Sequence, residues 1–115
     1  MSFPTPEPSL DRELALSRVG GDPELLREIA DLFLDECPRA LLEIHQALER
    51  EDASKLENAA HSLKGSVANF GAYDAVAAAF RLEQMGRAEQ LAEAPEALRA
   101  LEHALSIVCA ELSAL

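Results

Sequence analysis

The chain has 115 residues, which is enough for one domain with a single hydrophobic core and too few for two. Its composition of 49% hydrophobic and 27% charged residues, with 5 Gly and 6 Pro, predicts a folded, all-helical protein. A formal net charge of -11 with only 10 Lys and Arg residues argues against nucleic-acid binding, and no apolar run approaches the roughly 20 residues of a membrane span.

The N-terminal segment predicts a tail and not a packed element. Residues 1–9, MSFPTPEPS, contain three prolines at alternate positions and favour an extended tail or linker ahead of a helical domain over 10–115. They contain neither a positively charged region nor an apolar stretch, so we expect no secretory signal and a cytoplasmic protein. Cys37 and Cys109 lack CxxC spacing, and we expect both to be reduced and buried.

Two glycines separate the first two predicted helices. A short helix is expected from Leu10 to Val19, and the Gly20–Gly21 pair ends it. Asp22 followed by Pro23 is an N-cap and first-turn pair, which predicts a second helix through about Cys37. The predicted apolar face of this helix consists of Leu25, Leu26, Ile29, Leu32 and Phe33.

A proline marks the start of the next predicted helix. Pro38 is expected in the first turn of a separate helix over 38–49. The helix after it begins at a cap formed by either Asp52 or Ser54, and it extends to Phe70. The stripe of the helix over 38–49 consists of Leu41, Ile44 and Leu48.

Glycines also delimit the last helices. Gly71 separates the preceding helix from one over 72–85, which Gly86 closes, and a final helix covers 95–114. The stripe of the final helix consists of Leu98, Leu101, Leu105, Val108 and Leu112. Because short connections favour antiparallel neighbours, the predicted fold is an all-α, up-and-down antiparallel four-helix bundle with an additional docked N-terminal helix.

The helix that ends at Phe70 places a histidine away from its apolar stripe. The stripe consists of Leu56, Ala60, Leu63, Val67 and Phe70. With about 100° of rotation per residue, His61 lies roughly 140° from the centre of the stripe, Lys64 about 80° and Gly65 about 180°. A glycine inside a helix costs about 0.5–1 kcal/mol relative to alanine. We expect this cost to be offset because Gly65 clears the imidazole for close approach by another molecule.

His61 and Lys64 together suit a phosphoryl acceptor. An exposed imidazole presents a neutral, nucleophilic ring nitrogen near neutral pH. The ammonium of Lys64, three residues further along the helix, can reach a group held on that ring and neutralise its negative charge. A surface histidine without a role is the alternative, and Gly65 argues against it.

The motif around this histidine resembles a known family. AHSLKGSVANFGA, residues 60–72, is similar to the signature of the histidine-containing phosphotransfer (HPt) domains of bacterial two-component phosphorelays. VGGDPELLREIADLFLDECPRALLEI, residues 19–44, resembles the leading helices of the family, and AAAFRLEQMGR, residues 77–87, the following helix. The resemblance implies that His61 accepts a phosphoryl group from the phospho-aspartate of one receiver domain and passes it to the aspartate of another.

The resemblance also implies a residue that supports the histidine ring. The family often places a glutamine or glutamate on the next helix to orient the ring, and the matching position is Glu83. Spacing agrees, because His61 lies ten residues before Gly71 and Glu83 twelve after it, about 15 Å and 18 Å of helical rise. A plain surface pair between Glu83 and Arg87 is the alternative. Arg87 is also a candidate to place positive charge near the phosphoryl group.

The residues around the histidine are candidates for partner contact. Gly65, Ser66 and Ala68 are expected to allow close approach, and Leu14, Ala15 and Ala68 are candidates for a modest apolar docking patch. Such a patch is typical of a transient signalling contact. The expected partners are receiver domains of response regulators, a hybrid histidine kinase, or both.

The remaining histidines and aromatic residues predict no second site. His45 lies within about 40° of its helix's stripe and is expected at the boundary of the core, whereas His103 faces away from its stripe without a neighbouring Lys or Gly. Neither their spacing nor any carboxylate pattern indicates zinc. Phe33, Phe70 and Phe80 fall in apolar stripes and are expected in the core.

Two other functions stay open at this level. The first is a helical scaffold or regulatory binding module that exchanges no phosphate. The second is the phosphoacceptor domain of a chemotaxis-type histidine kinase. In each case we expect no cofactor, no ATP binding and no independent turnover, with a divalent metal only in the partner receiver. A monomer is expected and a dimer stays open; the kinase, the response regulator and the direction of phosphate flow are not determined.

Overall fold

A computed structural model describes residues 10–115, and the predicted tail over 1–9 lies outside these described residues. The described residues form five α-helices. They are α1 (Arg12–Arg18), α2 (Pro23–Glu49), α3 (Ala53–Ala68), α4 (Tyr73–Arg87) and α5 (Ala94–Ser113).

The four long helices form the predicted bundle. Around it, α2 contacts α3, α3 contacts α4, α4 contacts α5 and α5 contacts α2, while the short α1 packs on α2. Cross-helix pairs show the antiparallel direction of α3 and α4, because Glu57 pairs with Arg87 and His61, one turn later, pairs with Glu83, one turn earlier. The prediction of an all-α antiparallel four-helix bundle with a docked N-terminal helix is confirmed.

Aspartate side chains cap α2 and α3. Asp22 caps α2 by accepting hydrogen bonds from two backbone N–H groups of its first turn, at 3.0 and 3.3 Å. For α3 the cap is Asp52, which accepts from the backbone N–H of Lys55 at 3.0 Å. Of the two predicted caps, Asp52 therefore begins the helix and Ser54 lies within its first turn.

The prediction of a new helix at Pro38 is wrong. α2 runs unbroken for 27 residues with Pro38 in its interior, where the missing N–H leaves the carbonyl of Leu34 without its helical partner. Such a proline costs about 3 kcal/mol. Phe33, Cys37 and Ile44 are buried on both sides of it, and burial of large apolar side chains, at about 1.5–3 kcal/mol each, offsets the cost.

The predicted apolar face of α2 is also partly wrong. Leu26 and Phe33 are buried as expected, but Leu25 is 40% exposed and Leu32 is 61% exposed. The buried positions of the first half follow a four-three-four spacing through Leu26, Ala30, Phe33 and Cys37. This line excludes Leu25 and Leu32 and leaves two leucines at the surface.

The turn between α3 and α4 requires a glycine. α3 ends at Ala68 and not at Phe70, and Gly71 adopts a positive φ of 64°. A Cβ on Gly71 would lie 2.5 Å from the Cβ of Asp11, so no other residue fits there without movement. The backbone N–H of Asp11 donates to the carbonyl of Phe70 at 2.8 Å, which ties the start of α1 to this turn.

Gly86 does not close α4 as predicted. It lies inside the helix, and the last residue of α4 is Arg87. A Cβ on Gly86 would lie 2.7 Å from the carbonyl oxygen of Ala53 and 2.7 Å from the backbone nitrogen of Glu57. Gly86 therefore allows the backbones of α3 and α4 to approach closely at this point.

The core is almost entirely apolar. The predicted stripes of α3 and α5 are buried along their full length. Among the described residues the core contains one charged side chain, Glu83, which is 2% exposed. Burying a carboxylate is costly unless it is paired, so its partners decide what this part of the bundle does.

Candidate functional site

His61 stands at the surface of α3 beside the buried stripe. Its side chain is 69% exposed, whereas its neighbours Ala60 and Leu63 are buried. The ring thus lies on the outer side of α3, and a partner on α4 determines its orientation.

That partner is Glu83. Its Oε1 lies 2.6 Å from Nδ1 of His61, a short distance typical of a charge-assisted hydrogen bond. Burial raises the pKa of the Glu83 carboxyl, but hydrogen bonds from Lys64 and His61 and their charges lower it more, and the net pKa lies below its ordinary value. An ionised carboxylate only accepts hydrogen bonds, so Nδ1 carries the proton and Nε2 is the nitrogen left free.

Lys64 is held by the same carboxylate. Its Nζ lies 3.0 Å from Oε1 and 3.1 Å from Oε2 of Glu83, and its side chain is 25% exposed. Nζ also lies 4.8 Å from the ring centroid of Phe80. An aromatic face attracts a cation at this distance, so a carboxylate and a ring together fix the ammonium one turn from His61.

The prediction that Phe80 belongs to the core is wrong. Its side chain is 41% exposed on the flank of α4 that faces α3. The residue falls in the apolar spacing of α4, but the neighbouring position on α3 is Lys64. The ring packs against the lysine there and not against another apolar side chain.

Arg87 joins the network through two carboxylates. Its Nε donates to Oε2 of Glu57 at 2.9 Å, and its Nη2 lies 3.6 Å from Oε2 of Glu83. Glu83 therefore contacts both His61 and Arg87, with the histidine at the shorter distance, and because Glu83 is 2% exposed its contact with Arg87 is not the plain surface pair of the alternative. Glu57 was not among the predicted site residues. Its signal is spacing, because Glu57 lies one helical turn before His61 on the flank of α3 that faces α4.

The formal charges of the site are balanced. Lys64 and Arg87 contribute two positive charges, and Glu57 and Glu83 contribute two negative charges. With a neutral imidazole the formal sum is zero. The carboxylate that binds His61 therefore also holds both cations, and the site carries no excess positive charge.

A family model matches the part of the chain that contains the histidine and lysine of α3 and the buried carboxylate of α4. The model of the Hpt domain matches residues 28–111. The chain belongs to the Hpt domain family. It is a histidine phosphotransfer intermediate of phosphorelays, as the motif and its resemblance predicted.

A solved structure of the same family is similar over nearly the full length. The crystal structure of histidine-containing phosphotransfer protein B (HptB) from Pseudomonas aeruginosa PAO1 aligns with a TM-score of 0.86 and 28% sequence identity, over 94% of each chain. A comparison with curated proteins gives no match.

The surface of this Hpt domain next to His61 is open at Gly65. A Cβ on Gly65 would meet no atom within 4 Å, so packing within the domain does not require a glycine. Ala68 is half-buried, and the hydroxyl of Ser66 donates to the carbonyl of Ser62 at 3.2 Å. By its position on the helix Ser66 lies on the flank that faces α2, away from the ring of His61.

Two exposed leucines lie on the side of α2 that faces α3. A groove between α2 and α3 is lined by Glu43 and Ser62 among others, so Glu43 identifies the side of α2 that faces α3. Leu25 and Leu32 precede Glu43 by 18 and 11 residues, close to whole numbers of helical turns, and therefore share that side. The sequence had assigned both leucines to the core.

The docking residues predicted on α1 are only partly available. Leu14 is half-buried, but Ala15 is 2% exposed and is therefore not a surface residue. The predicted boundary position of His45 is wrong as well, because its side chain is 48% exposed and its Nε2 lies 3.6 Å from Oε1 of Glu102. His103 is exposed as expected.

Two further observations concern the described residues as a whole. No helix within 10–115 is long and apolar enough to cross a membrane. In the same range no group of three or more His, Cys, Asp or Glu side chains is placed to hold a metal ion.

Proposed function

We propose that His61 is the phosphoacceptor of this Hpt domain. In this role it takes a phosphoryl group from the phospho-aspartate of one receiver domain and passes it to the aspartate of another. The observation that carries the proposal is the 2.6 Å bond between Nδ1 of His61 and the buried carboxylate of Glu83, on a ring that is 69% exposed. This bond leaves Nε2 unprotonated and directed away from the bundle.

The transfer step follows from this tautomer. Nε2 of His61 attacks the phosphorus atom of the receiver's phospho-aspartate, and the bond between phosphorus and the aspartate oxygen breaks. The imidazole gains positive charge as the new bond forms, and the carboxylate of Glu83 stabilises that charge through Nδ1–H. Transfer to the second receiver reverses these bonds. Glu83 is thus a positioning residue that also acts electrostatically.

Lys64 and Arg87 supply the charge that the phosphoryl group requires. Lys64 is fixed next to the ring by Glu83 and Phe80, so its ammonium needs little reorganisation to face a group on Nε2. Arg87 is 63% exposed, bonded to Glu57, and only 3.6 Å from Glu83, which suits an accessory role. The two cations neutralise charge and do not react.

The docking surface for the receiver surrounds the ring. Gly65 removes a side chain beside His61, and Ala68 continues the low surface along α3. Leu25 and Leu32 add exposed apolar area on α2, and Leu14 adds some on α1. Such a patch fits the modest interface of a transient signalling complex.

The domain acts in this proposal as a carrier and not as an enzyme. It binds no ATP and has no turnover of its own, and the divalent metal that assists the transfer belongs to the receiver. The partners are receiver domains of response regulators, a hybrid histidine kinase, or both, and the carrier functions as a monomer.

The test compares two histidine variants. Wild-type protein, His61→Gln and His103→Gln are each mixed with a panel of phosphorylated receiver domains, and labelled phosphate on the chain is followed. Wild type and His103→Gln should take up label that is stable in base and lost in acid, whereas His61→Gln should take up none. Label of this stability on His61→Gln would refute the assignment, and His103→Gln controls for loss of an exposed histidine elsewhere.

A further inference from the structure

The two cysteines of the chain lie together although they are 72 positions apart in sequence. Cys37 is on α2 and Cys109 is on α5, and their Sγ atoms are 3.8 Å apart as free thiols. Sequence spacing gave no indication of this pair, since neither residue belongs to a CxxC motif.

An independent contact supports the register of the two helices at this point. His45 of α2 lies 3.6 Å from Glu102 of α5. Eight residues back along α2 and seven residues forward along α5 lead to Cys37 and Cys109, as antiparallel packing requires. The thiols therefore face each other because of the packing of the whole α2–α5 interface.

We propose that Cys37 and Cys109 form an intramolecular disulfide when the protein meets hydrogen peroxide. The sulfurs need to approach from 3.8 Å to about 2.05 Å. The bond would link α2 to α5 and enclose α3 and α4 in the closed loop. This interface lies across the bundle from the α3–α4 interface that holds His61.

The two thiols have different roles in the reaction. Cys109 is half-buried and accessible to a small oxidant, whereas Cys37 is 4% exposed. Burial raises the pKa of the Cys37 thiol to about 12, with a further contribution from Cys109, so Cys37 is poorly suited to react first. Cys109 is therefore the attacking residue and Cys37 the resolving residue.

Hydrogen peroxide is the only oxidant that the reaction requires. The sulfur of Cys109 attacks one peroxide oxygen, the O–O bond breaks, and water leaves, which makes Cys109 a sulfenic acid. The sulfur of Cys37 then attacks the sulfur of Cys109, the S–O bond breaks, and the hydroxyl leaves with the proton of Cys37 as a second water. Two thiols lose two electrons and peroxide is reduced to two waters.

The test treats the folded full chain with hydrogen peroxide and then alkylates it under denaturing conditions. The oxidised protein is expected to be monomeric, lighter by two hydrogen atoms and unreactive toward the alkylating agent, and dithiothreitol should restore two reactive thiols. The melting temperature of the oxidised form should rise by on the order of 10 °C, because the bond closes a long loop in the unfolded chain. Two free thiols after treatment, an intermolecular dimer, or over-oxidised Cys109 would each overturn the proposal.

Single substitutions test the order of attack. Cys37→Ser should stop at a sulfenic acid on Cys109 that dimedone traps, and Cys109→Ser should give no dimedone adduct on Cys37 at the same peroxide exposure. Equal labelling of the two variants would refute the assigned roles. Since the main measurement uses wild-type protein, a folding defect in either variant does not affect it.

Discussion

The charge on Glu83 is predicted to contribute to the rate of phosphoryl transfer beyond orienting the ring. Two substitutions separate these effects. Glu83→Gln keeps an oxygen that accepts the hydrogen bond from Nδ1 of His61 but removes the charge, whereas Glu83→Ala removes both. Both variants also change the counter-charge of Lys64, which lies 3.0 Å from the carboxylate.

The expected magnitudes follow from the 2.6 Å bond in a site where Glu83 is 2% exposed. A hydrogen bond to a charged group contributes about 1.5–3 kcal/mol and a neutral one about 0.5–1.5 kcal/mol. Losing the charge should therefore cost about 1.4 kcal/mol in the transition state, or about tenfold in rate. Losing the bond should cost about 2–3 kcal/mol, or roughly 30- to 160-fold.

The assay is rapid-quench measurement of label transfer from a phosphorylated receiver domain to each variant. Glu93→Gln is the matched control, because Glu93 is exposed and its pair with Arg81 on α4 is 3.7 Å long. Nitrogen NMR of the His61 ring provides a second measure and should show Nδ1–H in wild type and a loss of this preference in Glu83→Ala. Transfer by Glu83→Ala within twofold of wild type would refute the role assigned to the carboxylate.

Three further predictions concern stability and docking. Because the pKa of Glu83 is lowered in the folded protein, its ionised carboxylate stabilises the fold above the unfolded pKa of 4.5, and this stabilisation is lost as pH falls through the folded pKa. In chemical denaturation, the free energy of unfolding of wild type should therefore fall over this pH range relative to that of Glu83→Gln. A difference in unfolding free energy between the two proteins that does not change with pH would contradict this prediction. Gly86→Ala should destabilise by about 1–3 kcal/mol, because its Cβ would meet the backbone of α3 at 2.7 Å. The matched Gly65→Ala, whose Cβ would meet open space, should be neutral or stabilising by about 0.5–1 kcal/mol. Equal changes in stability for the two variants would refute the role of Gly86 in packing α4 against α3. Leu32→Ser should weaken receiver binding at unchanged melting temperature, whereas Ile107→Ser on α5, which does not contact α3, should bind normally in the same titration.

Helix α3 shows what a periodic apolar pattern can predict. Every residue of its predicted apolar stripe is buried, although Ala59 is buried as well, and the same rotation predicted a solvent-facing His61. The pattern works here because one face of α3 packs on the core and Gly65, which lies on the outer side, does not interrupt the helix. The family resemblance matched Glu83 to the ring, and the helical rise on both sides of the short turn at Gly71 agreed with that match.

Helix α2 shows where such a pattern fails. Pro38 has a strong local preference for a helix start, and packing of both halves against the same core overrides it. Leu25 and Leu32 are apolar in sequence but exposed, and no local rule distinguishes a core leucine from one on a docking surface.

Local sequence patterns were sufficient to predict a helical bundle, the Asp22 cap of α2 and a phosphotransfer motif on the exposed side of one helix. The packed bundle was needed to show that Glu83 is buried between His61 and Lys64, that Glu57 holds Arg87, and that Cys37 meets Cys109. These contacts escape a sequence pattern because periodicity along one helix reports only which side faces the core. It does not report the height and rotation at which a neighbouring helix packs, and these two quantities decide which side chains touch.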